Sequence, residues 1–303
     1  MKRLLFLPVL LFTFLIWNAA FSADFQKGLD AAQKGDFVTA LREWKPLAEQ
    51  GHAPAQYNLG IIYVDGLSVT QNYKTAVKWF KLAADQGDAT AQHNLGAIYA
   101  KGLGVPQDYK IASKWFKHAA DQRYANSQFN MGLLYATGHG VPQDYGTAVK
   151  WYTLASEQEH VAAQRSLGDL YRQGRGVPQN YGTALKWYTL AAKKGNAPAQ
   201  YNVGQFYLQG HGVPLDNSAA FKWFILAAGN GIASAQYNLG VMYDEGRGVP
   251  KDYVSALMWL KIAATQGHVG ARKNRDIIEQ EMSPTQVETA HKLAREWMKK
   301  HRK

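Results

Sequence analysis

The chain has 303 residues, no cysteine and a formal net charge of +11, so it forms no disulfide, offers no cysteine for lipid attachment and relies on packing alone. A basic chain attracts acidic partners. Its length does not call for two globular cores if the sequence is an array, because arrays grow by adding units.

Residues 1–22 stand apart. Lys2 and Arg3 precede an apolar run from Leu4 to Trp17, and Ala20-Phe21-Ser22 supplies the small residues a signal peptidase reads, so the segment is expected to be a secretory signal peptide. The run is too short and too interrupted by Pro8 to span a bilayer, which takes about 20 apolar residues. The expected location is therefore periplasmic or secreted, without a membrane span, and export sets nucleic acid aside as a partner. Residues 23–52 read as a shorter helix pair without a Gly-rich loop, passing through Ala31, Ala32 and Gly35 into Ala40, Leu41 and Trp44.

From residue 53 to 268 one unit recurs six times with a 36-residue period, marked by Ala55-Gln-Tyr-Asn-Leu-Gly60 and its variants at Ala91, Ser127, Ala163, Ala199 and Ala235. Self-similarity at this period indicates an α-solenoid. Ala91, Leu95, Ile98 and Tyr99 recur at helical spacing and predict a helix A. Gly96 in its middle costs a helix about 1 kcal/mol relative to alanine, so its recurrence predicts close passage of another backbone. Gly102-Leu-Gly-Val-Pro106 ends the helix. Asp108, with Asn72, Asp144, Asn180, Asp216 and Asp252, predicts the N-cap of a helix B. On helix B, Tyr109, Ala112, Trp115, Phe116, Ala119 and Ala120 form a wide apolar face. The tryptophans at 79, 115, 151, 187, 223 and 259 are expected to fill the space between successive units.

These positions together resemble the Sel1-like repeat (SLR) family, relatives of the tetratricopeptide repeat, over Ala53 to about His268. The resemblance implies an all-α fold, a right-handed α-solenoid of helix-turn-helix units, and adaptor work rather than catalysis. The pair at 23–52 resembles a plain tetratricopeptide unit and is expected to close the first end. The departures at Ser68, Thr70, Ser166 and Asn217 are local. Residues 269–303 are expected to close the other end: a degraded helix A, then Ser283-Pro284-Thr285-Gln286 opening a last helix to about Lys300, with a basic tail.

No catalytic signature is present, neither His-Glu-x-x-His, Gly-x-Ser-x-Gly nor a phosphate loop, and the Gly-x-Gly-Val loops follow helices where a dinucleotide site needs a strand. His139 and His211 share a loop position two units apart, on the order of 20 Å if packed helices lie about 8–10 Å from one another, so no shared metal is expected. Catalytic residues, metal and cofactor are all expected to be none.

What remains is the outward side of helix A. At 100° per residue, Leu59, Gly60 and Tyr63 point inward, while positions 57, 61 and 64 point away with 58 and 65 at one edge, the concave wall of a tetratricopeptide-like superhelix. The units disagree there: Tyr57, Ile61 and Val64 in the first, then His93, Ala97 and Ala100; Phe129, Leu133 and Ala136; Arg165, Asp169 and Arg172; Tyr201, Gln205 and Leu208; Tyr237, Val241 and Asp244. Asn58, Asn94, Asn130, Asn202 and Asn238 run along the edge, broken only by Ser166. The expected ligand-binding surface is Tyr57, Asn58, His93, Asn94, Phe129, Asn130, Arg165, Asp169, Arg172, Tyr201, Asn202, Tyr237 and Asn238. The asparagines either bond an extended peptide, with Arg165 and Arg172 anchoring a carboxylate, or tie neighbouring helices together. The partner is expected to be a protein or peptide, an acidic one matching the charge. The alternatives are a cell-envelope glycan or exopolysaccharide and, from a cysteine-rich branch of the resembled family, β-lactam or peptidoglycan processing, which the lack of cysteine disfavours.

Overall fold

The computed structural model describes residues 24–301, and the expected signal segment lies outside them. Every regular element among the described residues is an α-helix, and none of these helices is long and apolar enough to cross a membrane. Helix α1 covers 24–33 and α2 Phe37–Glu49. The six helices A are α3 (Ala53–Asp65), α5 (Ala89–Lys101), α7 (Ala125–Thr137), α9 (Val161–Gln173), α11 (Ala197–Gln209) and α13 (Ala233–Glu245). The helices B are α4 (Tyr73–Asp85), α6 (Tyr109–Asp121), α8 (Tyr145–Glu157), α10 (Tyr181–Lys193), α12 (Asn217–Gly229) and α14 (Tyr253–Thr265). Helices α15 (Val269–Glu281) and α16 (Pro284–Lys300) follow.

The chain divides into two compact units, one closing at Asp144 and the other running from Tyr145. The first stacks α2 to α7 in chain order, each helix on the next, and the second does the same from α8 to α15. The 36-residue count carries no mark of this division, which falls inside the third repeat.

Each repeat helix is 13 residues long, near the limit below which an isolated helix is marginal in water, so packing and caps hold it. In α5 the Asp88 carboxylate accepts from the Ala91 N–H at 2.7 Å, and Gly102 closes the helix at φ +70° with its N–H on the Ile98 carbonyl. The Asp108 N–H then donates to the Tyr99 carbonyl at 2.9 Å, and the Asp108 carboxylate accepts from the first N–H groups of α6. Asn72, Asn180, Asp216 and Asp252 cap α4, α10, α12 and α14 as the sequence predicts. Gly104 is required twice over: its φ is +68°, and a Cβ there would lie 2.5 Å from Tyr73 Cβ and 2.9 Å from the Lys74 nitrogen. The loop thus lies against the start of the preceding helix B.

Two packing expectations need correction. The space above Gly96 is taken by a side chain and not by backbone: a Cβ would sit 2.6 Å from the Phe116 ring. Phe80, Tyr188, Phe224 and Leu260 occupy the same seat over Gly60, Gly168, Gly204 and Gly240. Helix B is the neighbour, but it offers a fully or nearly fully buried side chain to the glycine notch, aromatic in all of these repeats except at Leu260. Consequently the tryptophan one position earlier, rotated away by 100°, is only half-buried at 79, 115, 187 and 223, while Phe80, Tyr188 and Phe224 are fully buried. Trp79, Trp115 and Trp223 do pack against the core of the preceding helix pair, so they join units without filling the space alone.

A glutamine ladder completes the scaffold. Gln92 Nε2 donates to the Ala84 carbonyl at 3.0 Å, and its Oε1 accepts from Gln122 at 2.8 Å. Gln56, Gln200 and Gln236 repeat both bonds, with Gln86, Asn230 and Gln266 as donors. Ser283 and Gln286 form the expected capping box. From there α16 turns back over α14 and sets Trp297 against Trp259 with ring centroids 5.4 Å apart. Ile262 is buried there, whereas its counterparts Leu82, Leu190 and Leu226 stay exposed.

Candidate functional site

The outward positions of helix A lie between helix A, its helix B and the cap of the following helix A. Tyr57, His93 and Tyr201 set their rings 5.8, 5.5 and 5.8 Å from Phe80, Phe116 and Phe224. His93 also packs on Tyr124, and Tyr237 stacks on His268 at 4.5 Å. These rings are half-buried. His93 Nδ1 lies 2.9 Å from the buried Ser127 hydroxyl, and burial holds its imidazole at about 4, well below the usual range. His52, His160 and His268, one helix-A cap position recurring every third repeat, accept a backbone N–H of the next turn. That role was not read from the sequence, although their common register carried it.

The asparagine ladder divides by what stands one unit upstream. The Asn94 side chain lies beside the Tyr57 hydroxyl and partly offsets the rise that burial imposes on its phenol, and Asn274, a seventh rung that sequence reading passed over, donates to the Tyr237 hydroxyl at 3.5 Å. Upstream of Asn130 stands His93, and upstream of Asn202 stands Arg165. Neither Asn130 nor Asn202 is tied to the preceding unit among the described residues, and each lines a pocket. Tyr201 would serve Asn238, but Gln205 donates to its hydroxyl at 2.6 Å, leaving the buried Asn238 Nδ2 without a partner among the described residues.

Arg165, Asp169 and Arg172 are brought together through Tyr188. Arg165 Nη1 pairs with Asp169 Oδ2 at 3.0 Å, the Tyr188 hydroxyl donates to Asp169 Oδ1 at 2.7 Å, and Arg172 Nε donates to that hydroxyl at 3.2 Å. Burial first, then the Asp169 charge, pushes the Tyr188 phenol far above its ordinary range. Asp169 is thus committed internally, and so is one end of Arg165. Arg172 retains its Nη groups.

Two pockets open at one repeat position, each within its own unit. In the first unit a pocket of about 300 Å³ is lined by Ala97, Ala100, Asn130, Leu133, Thr137 and His139, among others. In the second unit the equivalent pocket, about 590 Å³, is lined by Arg172, Arg175, Tyr201, Asn202, Gln205 and His211, with further amides. At the rim of each a histidine stacks on the tyrosine opening helix B, His139 on Tyr109 at 4.7 Å and His211 on Tyr181 at 4.6 Å. Arg175 belongs to the loop and was not among the residues the sequence singled out, because only the fold brings that loop beside helix A. Such pockets can hold side chains of an extended ligand. Among the described residues no group of three or more His, Asp or Glu side chains could hold a metal ion.

A stack of 13-residue helix pairs, glycine-notched and mostly side-chain-capped, defines an all-α repeat scaffold. The Sel1 repeat model matches residues 53–88, 89–124, 125–160, 161–196, 197–232 and 233–268, and the chain belongs to the Sel1 repeat family. A Sel1 repeat protein from Oxalobacter formigenes is 32% identical over 79% of this chain and 96% of its own, with a TM-score of 0.69. A protective antigen of uropathogenic Escherichia coli displaying an SLR fold is 25% identical over 93% of this chain and 92% of its own, with a TM-score of 0.52. No curated protein matches the chain.

Proposed function

We propose that this chain is an exported scaffold that holds a protein or peptide partner on the helix A face and performs no catalysis. One observation carries the reading, the division of labour within the repeat. Most recurrent residues are consumed internally: the glycine under the helix B ring, the glutamine on the preceding helix, the loop glycine on the preceding helix B; Asn130, Asn202, Tyr109 and Tyr181 are among the recurrent residues that reach the pockets. The residues that differ between units line two pockets of contrasting chemistry at one repeat position. A frame that repeats while its lining varies suits recognition of side chains along a chain, and repeats of this family generally serve protein interaction. Fold alone does not assign function, so the reading rests on the linings.

Peptide display against the purified chain tests it. Selected peptides should lose affinity several-fold in Leu133→Glu and in Asn202→Ala while the melting temperature stays within a degree or two, and selection that enriches nothing would reject the proposal. Envelope glycan is the second reading, favoured by the tyrosine and amides at Tyr201, Asn202 and Gln205, and binding on a glycan array in place of peptides would select it. Export rests on Lys2, Arg3, the apolar run and Ala20-Phe21-Ser22. Intact mass of the protein from a bacterial envelope fraction should give a chain beginning at Ala23, and a mass that still includes residues 1–22 would contradict export.

A further inference from the structure

We propose that the pocket at Arg172 and Arg175 is a carboxylate-binding site that selects acidic peptides, an inference that rests on the peptide-scaffold reading. The pocket has two guanidinium groups and no acidic residue in its lining. Among the described residues neither Arg172 nor Arg175 forms an ion pair: the nearby Asp169 is held by Arg165 and Tyr188. Both guanidinium groups are nevertheless positioned. Arg172 is fixed through Nε on the Tyr188 hydroxyl, which leaves its Nη edge for a ligand. Arg175 lies over the Tyr145 ring, 5.4 Å from its centroid, with Nη1 3.4 Å from the Tyr145 hydroxyl.

A guanidinium suits bidentate capture of a carboxylate, and fixing it beforehand lowers the ordering cost of binding. Asn202 offers a free amide to an adjacent peptide group, and the His211–Tyr181 stack gives methylene groups an apolar wall. The equivalent pocket of the first unit makes the contrast: Ala100 stands where Arg172 does, Leu103 where Arg175 does and Leu133 where Gln205 does, and the space is correspondingly apolar. The repeat frame has therefore been filled in this one unit with a consistent cationic and amide set.

Fluorescence anisotropy with labelled oligopeptides tests the site. The probes are an oligoglutamate blocked at both ends, an oligoglutamine blocked at both ends, and the same oligoglutamine with a free C-terminal carboxylate. Oligoglutamate should bind and blocked oligoglutamine should not; binding of the third probe would extend the site to chain termini, and its absence would confine it to acidic side chains. Arg172→Gln with Arg175→Gln should weaken oligoglutamate binding about tenfold or more, as expected when two charge-assisted bonds are lost. Lys186→Gln with Lys193→Gln, which removes equal charge from exposed positions on α10, should change it little. Equal losses in the two double variants, no loss in the arginine pair, no binding of oligoglutamate, or displacement by inorganic phosphate at concentrations where acetate has no effect would each overturn the carboxylate assignment. Display-selected peptides that bind the arginine double variant undiminished would sink this site alone and leave the scaffold reading standing.

Discussion

At the scale of single residues, departures from the repeat come in matched pairs. Ser127 replaces the usual alanine, and His93, the only histidine at its position, stands against it in the preceding unit. Asp169 accepts from the Tyr188 hydroxyl, where the first two repeats have Ile61 and Ala97 with Phe80 and Phe116. One departure lacks its complement: Lys194 stands where Gln86, Gln122 and Gln266 donate to the ladder, and it pairs instead with Glu159 at 2.8 Å, leaving Gln164 Oε1 buried and unbonded among the described residues. Restoring the donor with Lys194→Gln should stabilise the protein by about 1 kcal/mol, since an unmet buried acceptor costs about 1–3 kcal/mol and an exposed ion pair is worth about 0–1 kcal/mol. Urea melts read the change, and a lower midpoint in the variant would contradict the ladder's role.

His93 gives the pH dependence at the same scale. Its folded pKa, about 4, lies below the ordinary 6.5 because burial penalises the charged ring. The unfolded chain therefore binds the proton more readily, and stability from neutral His93 is complete above about 6.5 and is lost as pH falls towards 4. His52 and His160 are shifted in the same direction by burial. His93→Tyr, the residue found at Tyr57, Tyr201 and Tyr237, should flatten part of this acid limb in thermal melts from pH 7 to pH 4, and an unchanged limb would remove His93 from the account. Asn94→Ala should cost about 1 kcal/mol by removing the amide beside the half-buried Tyr57 hydroxyl, whereas Asn130→Ala with Asn202→Ala should leave the melting temperature nearly unchanged. A clear loss of stability in that pair would assign the whole ladder to the scaffold.

At the scale of helices, the notch and the ring that fills it set the packing. Gly96→Ala would place a methyl group against the Phe116 ring and should destabilise by about 1–3 kcal/mol, although alanine is the better helix former. Phe224→Ala should cost about 3–5 kcal/mol, and Trp223→Ala clearly less, because Trp223 is half-exposed and Phe224 is buried completely. Denaturant melts giving the reverse order would return the core to the tryptophans. The helices, caps and loop glycines were legible in the sequence because each answers to local rules of spacing and backbone geometry. The filler of the notch was not: Trp and Phe are adjacent, both large and apolar, and only the azimuth at which helix B meets helix A decides between them. The glutamine ladder was hidden for a related reason. Gln56 recurs as plainly as Leu59, but a recurrent amide reads equally as a surface group until the carbonyl it serves is located.

At the scale of the whole molecule, the same chemistry makes the recurrent residues a frame and the divergent ones a lining. Of the expected site, Asn130, Arg172, Tyr201 and Asn202 line pockets; Arg165, Asp169 and Asn94 are spent largely on internal bonds. A helical wheel shows which positions leave the core, but it does not show which of those a neighbouring unit has already engaged. A competing surface exists on the other side, where Leu82, Leu154, Leu190 and Leu226 are exposed at one position of helix B. Hydrogen exchange on the chain bound to a display-selected peptide decides between the two faces. Added protection is expected in α5, α7, α9 and α11, in the Gly-rich loops beside the two pockets and in the first turn of α10 at Tyr181, with α4, α12 and the Leu190 end of α10 unchanged; protection confined to the leucine-bearing stretches of helices B would contradict the helix A site.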